Sequence, residues 1–239
     1  MDQNNFQQAA PGAPLAICGR KKNDKKPVVF YEDRMTFKGE TILYSNIDTI
    51  SLYAMTTTTN LIFDSYSAYV RMKLKDKRKL KWKVSAFSIF GLGSVKTKKQ
   101  YFASMFQACL ATIVRTIAAG YISTIKMGGT VTIGGITITP TDVTGKAFMK
   151  GTKTTPFTEI ARADIDRGNV YIYGPDNKAV ASGVGTATEN AACLLYIVNT
   201  LAAAGTTEPF DYVRDGQYEG YEIALAAAFC RECGYALEI

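Results

Sequence analysis

The side chains in this chain best placed to act on another molecule are cations. The run Arg71-Met72-Lys73-Leu74-Lys75-Asp76-Lys77-Arg78-Lys79-Leu80-Lys81-Trp82-Lys83-Val84 alternates charged with apolar residues. Period two marks a strand with one buried face, and a turn near Asp76 to Arg78 would fold the run into a hairpin. Met72, Leu74, Leu80, Trp82 and Val84 then point inward. Arg71, Lys73, Lys75, Lys79, Lys81 and Lys83 share the outer face, with no carboxylate partner. Like charges facing each other across a strand pair cost roughly a few tenths of a kcal/mol each. One use for such a face is to deter edge-to-edge aggregation. The other is to bind a polyanion, and cations near an anionic bilayer contribute about 1 kcal/mol apiece. Sequence-specific nucleic-acid readers add stacking aromatics or an arginine fork. This face is mostly lysine and its one tryptophan points inward, so an acidic protein or an anionic membrane surface is expected ahead of nucleic acid.

A second constellation is Phe229-Cys230-Arg231-Glu232-Cys233-Gly234. Two thiolates in so tight a turn can occupy one side of a zinc tetrahedron. The matching half would be another such knuckle, and Leu15-Ala16-Ile17-Cys18-Gly19 has its spacing, with leucine in place of the first thiol. The pair resembles a degenerate zinc ribbon split between distant parts of the sequence. Cys18, Cys230 and Cys233 are the candidate metal ligands, and the fourth is missing. The expectation is no cofactor, with zinc on these three thiols as the alternative.

The sequence contains no histidine. That removes Ser-His-Asp triads, Cys-His pairs, HExxH zinc sites and imidazole proton transfer. No nucleophile–base pair can be assembled from what remains, so the chain is not expected to be an enzyme. Gly91-Leu92-Gly93-Ser94, with Lys96, Lys98 and Lys99 behind it, lacks the GxxxxGK[ST] frame of a nucleotide loop. It reads as a strand-to-helix connection.

Charge is divided unevenly along the 239 residues. Residues 1–119 hold 19 Lys+Arg against 8 Asp+Glu, a balance of +11, and residues 120–239 hold 9 against 13, a balance of −4. The basic half suits an anionic partner. The two halves could equally attract each other, within one chain or between copies, so a purely structural, self-assembling module is the second hypothesis. Met1 to Ala10 is polar, with no apolar stretch of a secretory leader. Five cysteines, an odd and scattered number, fit reduced thiols. Both point to the cytoplasm, with peripheral attachment at the inner membrane face an extension of the same idea.

These side chains need elements to position them. Residues 1–26 read as a flexible basic arm. From Pro27 onward, short β-rich runs (Val28–Tyr31, Met35–Phe37, Thr41–Tyr44, Ile47–Tyr53, Leu61–Phe63, Tyr69–Leu74, Lys79–Val84) are separated by turn residues. An amphipathic helix over about 97–118 follows, with Gly120 as its cap. Its stripe of Phe102, Met105, Phe106, Cys109, Leu110, Ile113 and Ile117 suits one buried side, whereas a spanning helix would be apolar all round over about 20 residues. The order then restarts: strands at Thr130–Ile133, Ile136–Ile138, Lys146–Met149, Phe157–Ala163, Val170–Tyr173 and Ala179–Ser182, then a helix over about 187–204. Thr186 and Glu189 form a capping box at its start, and Gly205 ends it.

Tyr44-Ser45-Asn46-Ile47 aligns with Phe157-Thr158-Glu159-Ile160, and Met35-Thr36-Phe37 with Ile136-Thr137-Ile138. Strands-then-helix, written twice, indicates an internal duplication. Each copy suits a bent antiparallel sheet or partly open barrel plugged by its helix. The second copy, with Phe157 to Ile160, Gly168-Asn169 before Tyr171-Ile172-Tyr173, the Gly174-Pro175-Asp176-Asn177 turn and Glu189-Asn190-Ala191-Ala192, resembles the bacterial pleckstrin-homology-like domains. The first resembles them through Tyr44-Ser45-Asn46-Ile47-Asp48-Thr49-Ile50. The resemblance implies a mainly β (α+β) fold of two tandem domains, 27–120 and 121–205, followed by an acidic tail with a short helix and the CxxCG at 206–239. It implies binding or scaffolding, and no catalytic or ligand residue carries over.

Overall fold

The computed structural model describes residues 12–21, 24–59, 63–89, 92–93, 95–147 and 151–203. The terminal CxxCG, with Cys230 and Cys233, and the 206–239 tail lie outside them. Within them the chain is mainly β, 44% strand against 28% helix, in four antiparallel sheets with no closed barrel.

The first sheet is a meander of β1 (Ala16–Cys18), β2 (Val28–Phe30), β3 (Arg34–Phe37) and β4 (Glu40–Leu43). Alternation sends Cys18, Val28, Phe30, Met35, Phe37 and Ile42 into the core. A 3-10 turn at Tyr44–Asn46 leads to the second sheet: β5 (Ile47–Thr59), β6 (Phe63–Leu74), β7 (Lys79–Ile89) and the two-residue β8 (Leu92–Gly93). Helix α1 (Val95–Cys109) packs on β6 and β7. It runs without a break through a wide π-type turn, Leu110–Val114, into α2 (Arg115–Lys126).

The order then recurs. β9 (Val131–Ile133), β10 (Ile136–Ile138), β11 (Asp142–Ala147) and β12 (Gly151–Pro156) form a four-stranded meander, followed by a 3-10 turn at Phe157–Glu159. β13 (Arg162–Asp166), β14 (Asn169–Tyr173) and β15 (Val184–Gly185) form the next sheet, and α3 (Cys193–Ala203) closes it. The two 3-10 turns fall on the aligned segments Tyr44-Ser45-Asn46 and Phe157-Thr158-Glu159. The second alignment is one strand out of step, because Met35-Thr36-Phe37 lies in the third strand of its sheet and Ile136-Thr137-Ile138 in the second. Apolar–Thr–apolar fits any half-buried strand, so three residues do not identify which one.

The two halves share one core, in which Leu52, Met72, Met105 and Ile113 join Ile138, Ile172, Leu194 and Val198. α2 packs on α3, on β5 and on β9. At the seam, Leu52 N–H donates to Thr186 O (2.8 Å) and Asn190 N–H to Ile50 O (2.8 Å). Ile50 N–H donates to Asn190 Oδ1 (2.9 Å). Thr186 N–H also donates to Gly168 O (2.8 Å). The segment after β15 therefore bridges the β13–β15 sheet to the free edge of β5. Asn190 Nδ2 reaches Tyr121 Oη (2.8 Å) and Asp48 O (3.3 Å), which ties the same point to α2.

Several sequence expectations are corrected. The stretch read as an arm contains β1, paired with β2 through Ala16↔Phe30 and Cys18↔Val28. Buried Asp24 folds the following turn by accepting from Arg20 N–H and Nε–H and from Lys26 N–H. Gly120 does not end the helix; it sits exposed in α2, which runs six residues further, and Gly128 at φ 87° takes the left-handed position after it. Residue 120, drawn as the edge of the first domain, is thus mid-helix. The whole helix, Val95–Lys126, is long and apolar enough to cross a membrane by length and composition. Here Phe102, Met105, Cys109, Ile113, Val114, Ala118 and Ile125 of it are buried in the shared core.

The capping box is not formed. Thr186 Oγ1 donates to Gly168 O, residues 187–192 are turns, Asn190 is left-handed at φ 60°, and α3 begins at Cys193. The seam claims the backbone that a local cap would have used. Phe157–Ala163 splits into the 3-10 turn and β13, and Ala179–Ser182 contributes one bridge, Tyr173↔Ala179.

Candidate functional site

The expected hairpin is β6–β7, and its geometry follows from the alternation. Val70, Met72, Leu74, Trp82 and Val84 are buried, and Leu80 packs against the core. The turn is held by Leu74 N–H to Arg78 O (2.8 Å) and Lys77 N–H to Leu74 O (2.9 Å), with Lys77 left-handed at φ 70°. Asp76 accepts from Arg78 N–H (3.0 Å) and Nε–H (2.7 Å). Arg78 also donates to Glu40 at the edge of the first sheet. Glu40 first and Asp76 second hold the Arg78 guanidinium above its ordinary pKa, and the Arg78 hydrogen bonds hold the Asp76 carboxyl below its own. Arg78 is committed to the turn, so the outer face is left to the six predicted cations.

Register places those cations against one another. Lys73 is opposite Lys79, Arg71 opposite Lys81, and Lys83 opposite Tyr69. Arg71, Lys75, Lys79, Lys81 and Lys83 are exposed and Lys73 is half-buried. The expectation of no carboxylate partner is corrected at one position: Asp48 lies 3.4 Å from Lys73 Nζ. It reaches the face from the irregular start of β5, where the register shifts between Ile47 and Thr49. No ion pair among the described residues engages the other five. Among the described residues, β7 from Lys79 to Phe87 is paired only with β6, since β8 meets it at Ser88 and Ile89. The aggregation-deterring role therefore has a physical basis at Lys79, Lys81 and Lys83.

The sequence reading missed the aromatic part of the face. β5 lies beside β6 with Tyr53 opposite Tyr69, and their rings stack at 4.8 Å. Arg71 Cζ stands 5.2 Å and Lys81 Nζ 5.0 Å from the Tyr69 ring centroid, a cation–π geometry that draws both charges toward the middle of the sheet. Farther along the same face come Ser67 with Met55 and Ser85, then Ser65 with Thr57 and Phe87. Met55 is 50% and Phe87 57% exposed. The signal was present, because Tyr69 and Phe87 share the parity of Arg71 and Lys83. It needed strands running to Thr59 and Ile89, beyond where the sequence placed their ends.

The third metal-ligand candidate, Cys18, is buried in β1 at 1% exposure. No cluster of three metal-ligating side chains occurs among the described residues. Cys109 and Cys193 are buried in the helical layer, and Cys193 Sγ–H points at Val114 O (3.7 Å). Burial pushes the Cys193 thiol up to about 12 and the Cys109 thiol up as well. Away from the cationic face, a cleft of about 440 Å³ opens beside the seam, between Ala54, Phe102, Phe106, Ile165 and Arg167.

No protein family, no curated protein and no solved structure matches the chain.

Proposed function

We propose that this chain is a non-enzymatic binding and scaffolding protein, built from two fused pleckstrin-homology-like units, that engages an anionic partner through the outer face of β5–β7. The unit reading rests on the order that occurs twice: a four-stranded meander, a 3-10 turn, a second meander and a helix. The binding reading rests on one observation, the register that sets Arg71 against Lys81 and Lys73 against Lys79. A face kept only for solubility would gain from interleaved carboxylates, since each like-charge pair costs a few tenths of a kcal/mol that an opposite-charge pair would return. Concentrated positive charge instead attracts an anionic surface over about a Debye length, 8 Å at physiological salt. The protein would work in the cytoplasm, held peripherally at the inner membrane face or on an acidic partner, without a cofactor.

The test is binding of the full chain to polyglutamate and to anionic vesicles across a salt series. Wild type should bind both, more weakly as salt rises. The combined Lys73→Glu, Lys75→Glu, Lys81→Glu and Lys83→Glu variant should bind neither. If that variant binds as wild type does, the reading is wrong.

A further inference from the structure

We infer that the cleft beside the seam is a binding site for a medium-chain carboxylate, with its apolar chain between α1 and β13 and its head group on Arg167 at the mouth. The site is separate from the cationic face. Ala54 and Thr56 share the inward parity of buried Ile50 and Leu52 on β5, whereas Tyr53 and Met55 belong to the face that carries the cations.

Both halves of the chain build the cleft. The first supplies Ala54 of β5 with Phe102 and Ala103 of α1, and the second supplies Ile165 and the β13–β14 turn. Phe102 and Ile165, 4% and 7% exposed, give it an apolar floor. The small side chains of Ala54 and Ala103 leave the space above that floor, about 440 Å³, unfilled. Protein interiors ordinarily close such gaps with their own side chains. Small-ligand pockets run from roughly 300 to 1,000 Å³ and favour joins between structural units. A volume near the lower end suits a single chain of medium length.

The polar lining selects the head group. Arg167 sits in the two-residue turn closed by the Asp166↔Asn169 pair, and its side chain is 91% exposed, which puts it at the mouth of the cleft. Its one ion-pair contact, Asp166 Oδ1, lies at 3.9 Å, too far for a hydrogen bond. Thr56 and Gln107 line the rim. Among the described residues, no hydrogen bond engages the side chain of Thr56, Gln107 or Arg167. One guanidinium and two neutral donors match a carboxylate, which brings one charge and two acceptor oxygens. A phosphate dianion would leave charge unmatched, and an uncharged chain would leave Arg167 unused.

The experiment is calorimetric titration of the full chain with decanoate below its micelle concentration, and with decanol as the uncharged analogue. Wild type should bind decanoate at one site and decanol roughly three- to tenfold more weakly. Saturating decanoate should also raise the thermal midpoint, because only the folded chain brings the two halves of the site together. Arg167→Gln should lose the preference for decanoate and keep decanol binding. Ala103→Leu places a good helix former in the void and should weaken both ligands at least about tenfold, with circular dichroism checking that the fold is kept. The combined Lys73→Glu, Lys75→Glu, Lys81→Glu and Lys83→Glu variant should bind decanoate as wild type does. No decanoate binding by wild type, or unchanged binding in folded Ala103→Leu, overturns the cleft as the site. Equal binding of decanoate and decanol by wild type, or a preference that survives Arg167→Gln, overturns the carboxylate assignment. Arg167→Gln alters an exposed turn, so it decides the matter even if Ala103→Leu does not fold. Loss of decanoate binding in the lysine-to-glutamate variant moves the ligand to the cationic face and overturns the inference as well.

Discussion

Replacing Asn190 with alanine strikes the place where the two halves of the chain are sewn together. Asn190 is 4% exposed and left-handed at φ 60°. Its side chain accepts from Ile50 N–H at 2.9 Å and donates to Tyr121 Oη at 2.8 Å and Asp48 O at 3.3 Å. Truncation leaves the buried Ile50 N–H without its acceptor, about 1–3 kcal/mol, and removes the donor to Tyr121, about 1 kcal/mol more. Alanine tolerates the left-handed region less well than asparagine, adding roughly 1 kcal/mol. The expected loss is about 3–5 kcal/mol, a large share of the 5–15 kcal/mol typical of a domain. Asn190→Gly relieves the backbone part alone and should recover about 1 kcal/mol. The assay is urea unfolding followed by two probes. Trp82 is the single tryptophan and lies buried in the first half, so its fluorescence reports that half, while far-UV circular dichroism reports both. One shared core predicts coincident transitions in wild type and equal shifts of both probes in Asn190→Ala. A Trp82 transition that stays in place while the dichroism shifts would refute the shared core, since the mutated residue lies in the other half.

Three further outcomes follow from the same geometry. Lys81→Glu should stabilise the hairpin by about 0.2–1 kcal/mol in low salt, because it turns the Arg71–Lys81 repulsion into attraction; chemical denaturation reads this directly, and the same change should weaken anion binding. Tyr44, buried with its hydroxyl on Tyr31 O at 2.7 Å, has its pKa pushed up to about 12, chiefly by loss of hydration. The unfolded chain ionises this phenol near 10, so stability should be flat below pH 10 and fall by about 2–3 kcal/mol as pH rises to 12, with Tyr44→Phe flattening the slope. Cys109 and Cys193 should resist a thiol reagent at pH 8 in the native protein and react on unfolding, as peptide mass mapping will show.

The hairpin was legible because its information is local. Strict alternation over Arg71 to Val84 assigns each side chain to a face before any partner is known, and the observed burial follows it. The aromatic and apolar residues beside the cations were less legible. Tyr53 and Met55 belong to β5, and only pairing with β6 places them beside Tyr69 and Ser67. The helix ends were misread for a related reason. Gly120 and the Thr186–Glu189 pair carry valid local signals, but each was outweighed by contacts made far away in sequence.

Composition alone removed histidine chemistry, and alternation and turn residues determined a mainly β chain, its repeated order and a cationic strand face. Tertiary structure decided that the two halves share one core, that one helix runs through the expected boundary, and that Thr186 bonds to β5 and to the β13–β14 turn rather than forming a capping box with Glu189. It also decided which residues flank the cations. The physical reason is the same throughout: side-chain parity is set by the backbone of a single strand, whereas register, edge pairing and the satisfaction of buried N–H and C=O groups are set by whichever segment folds against it.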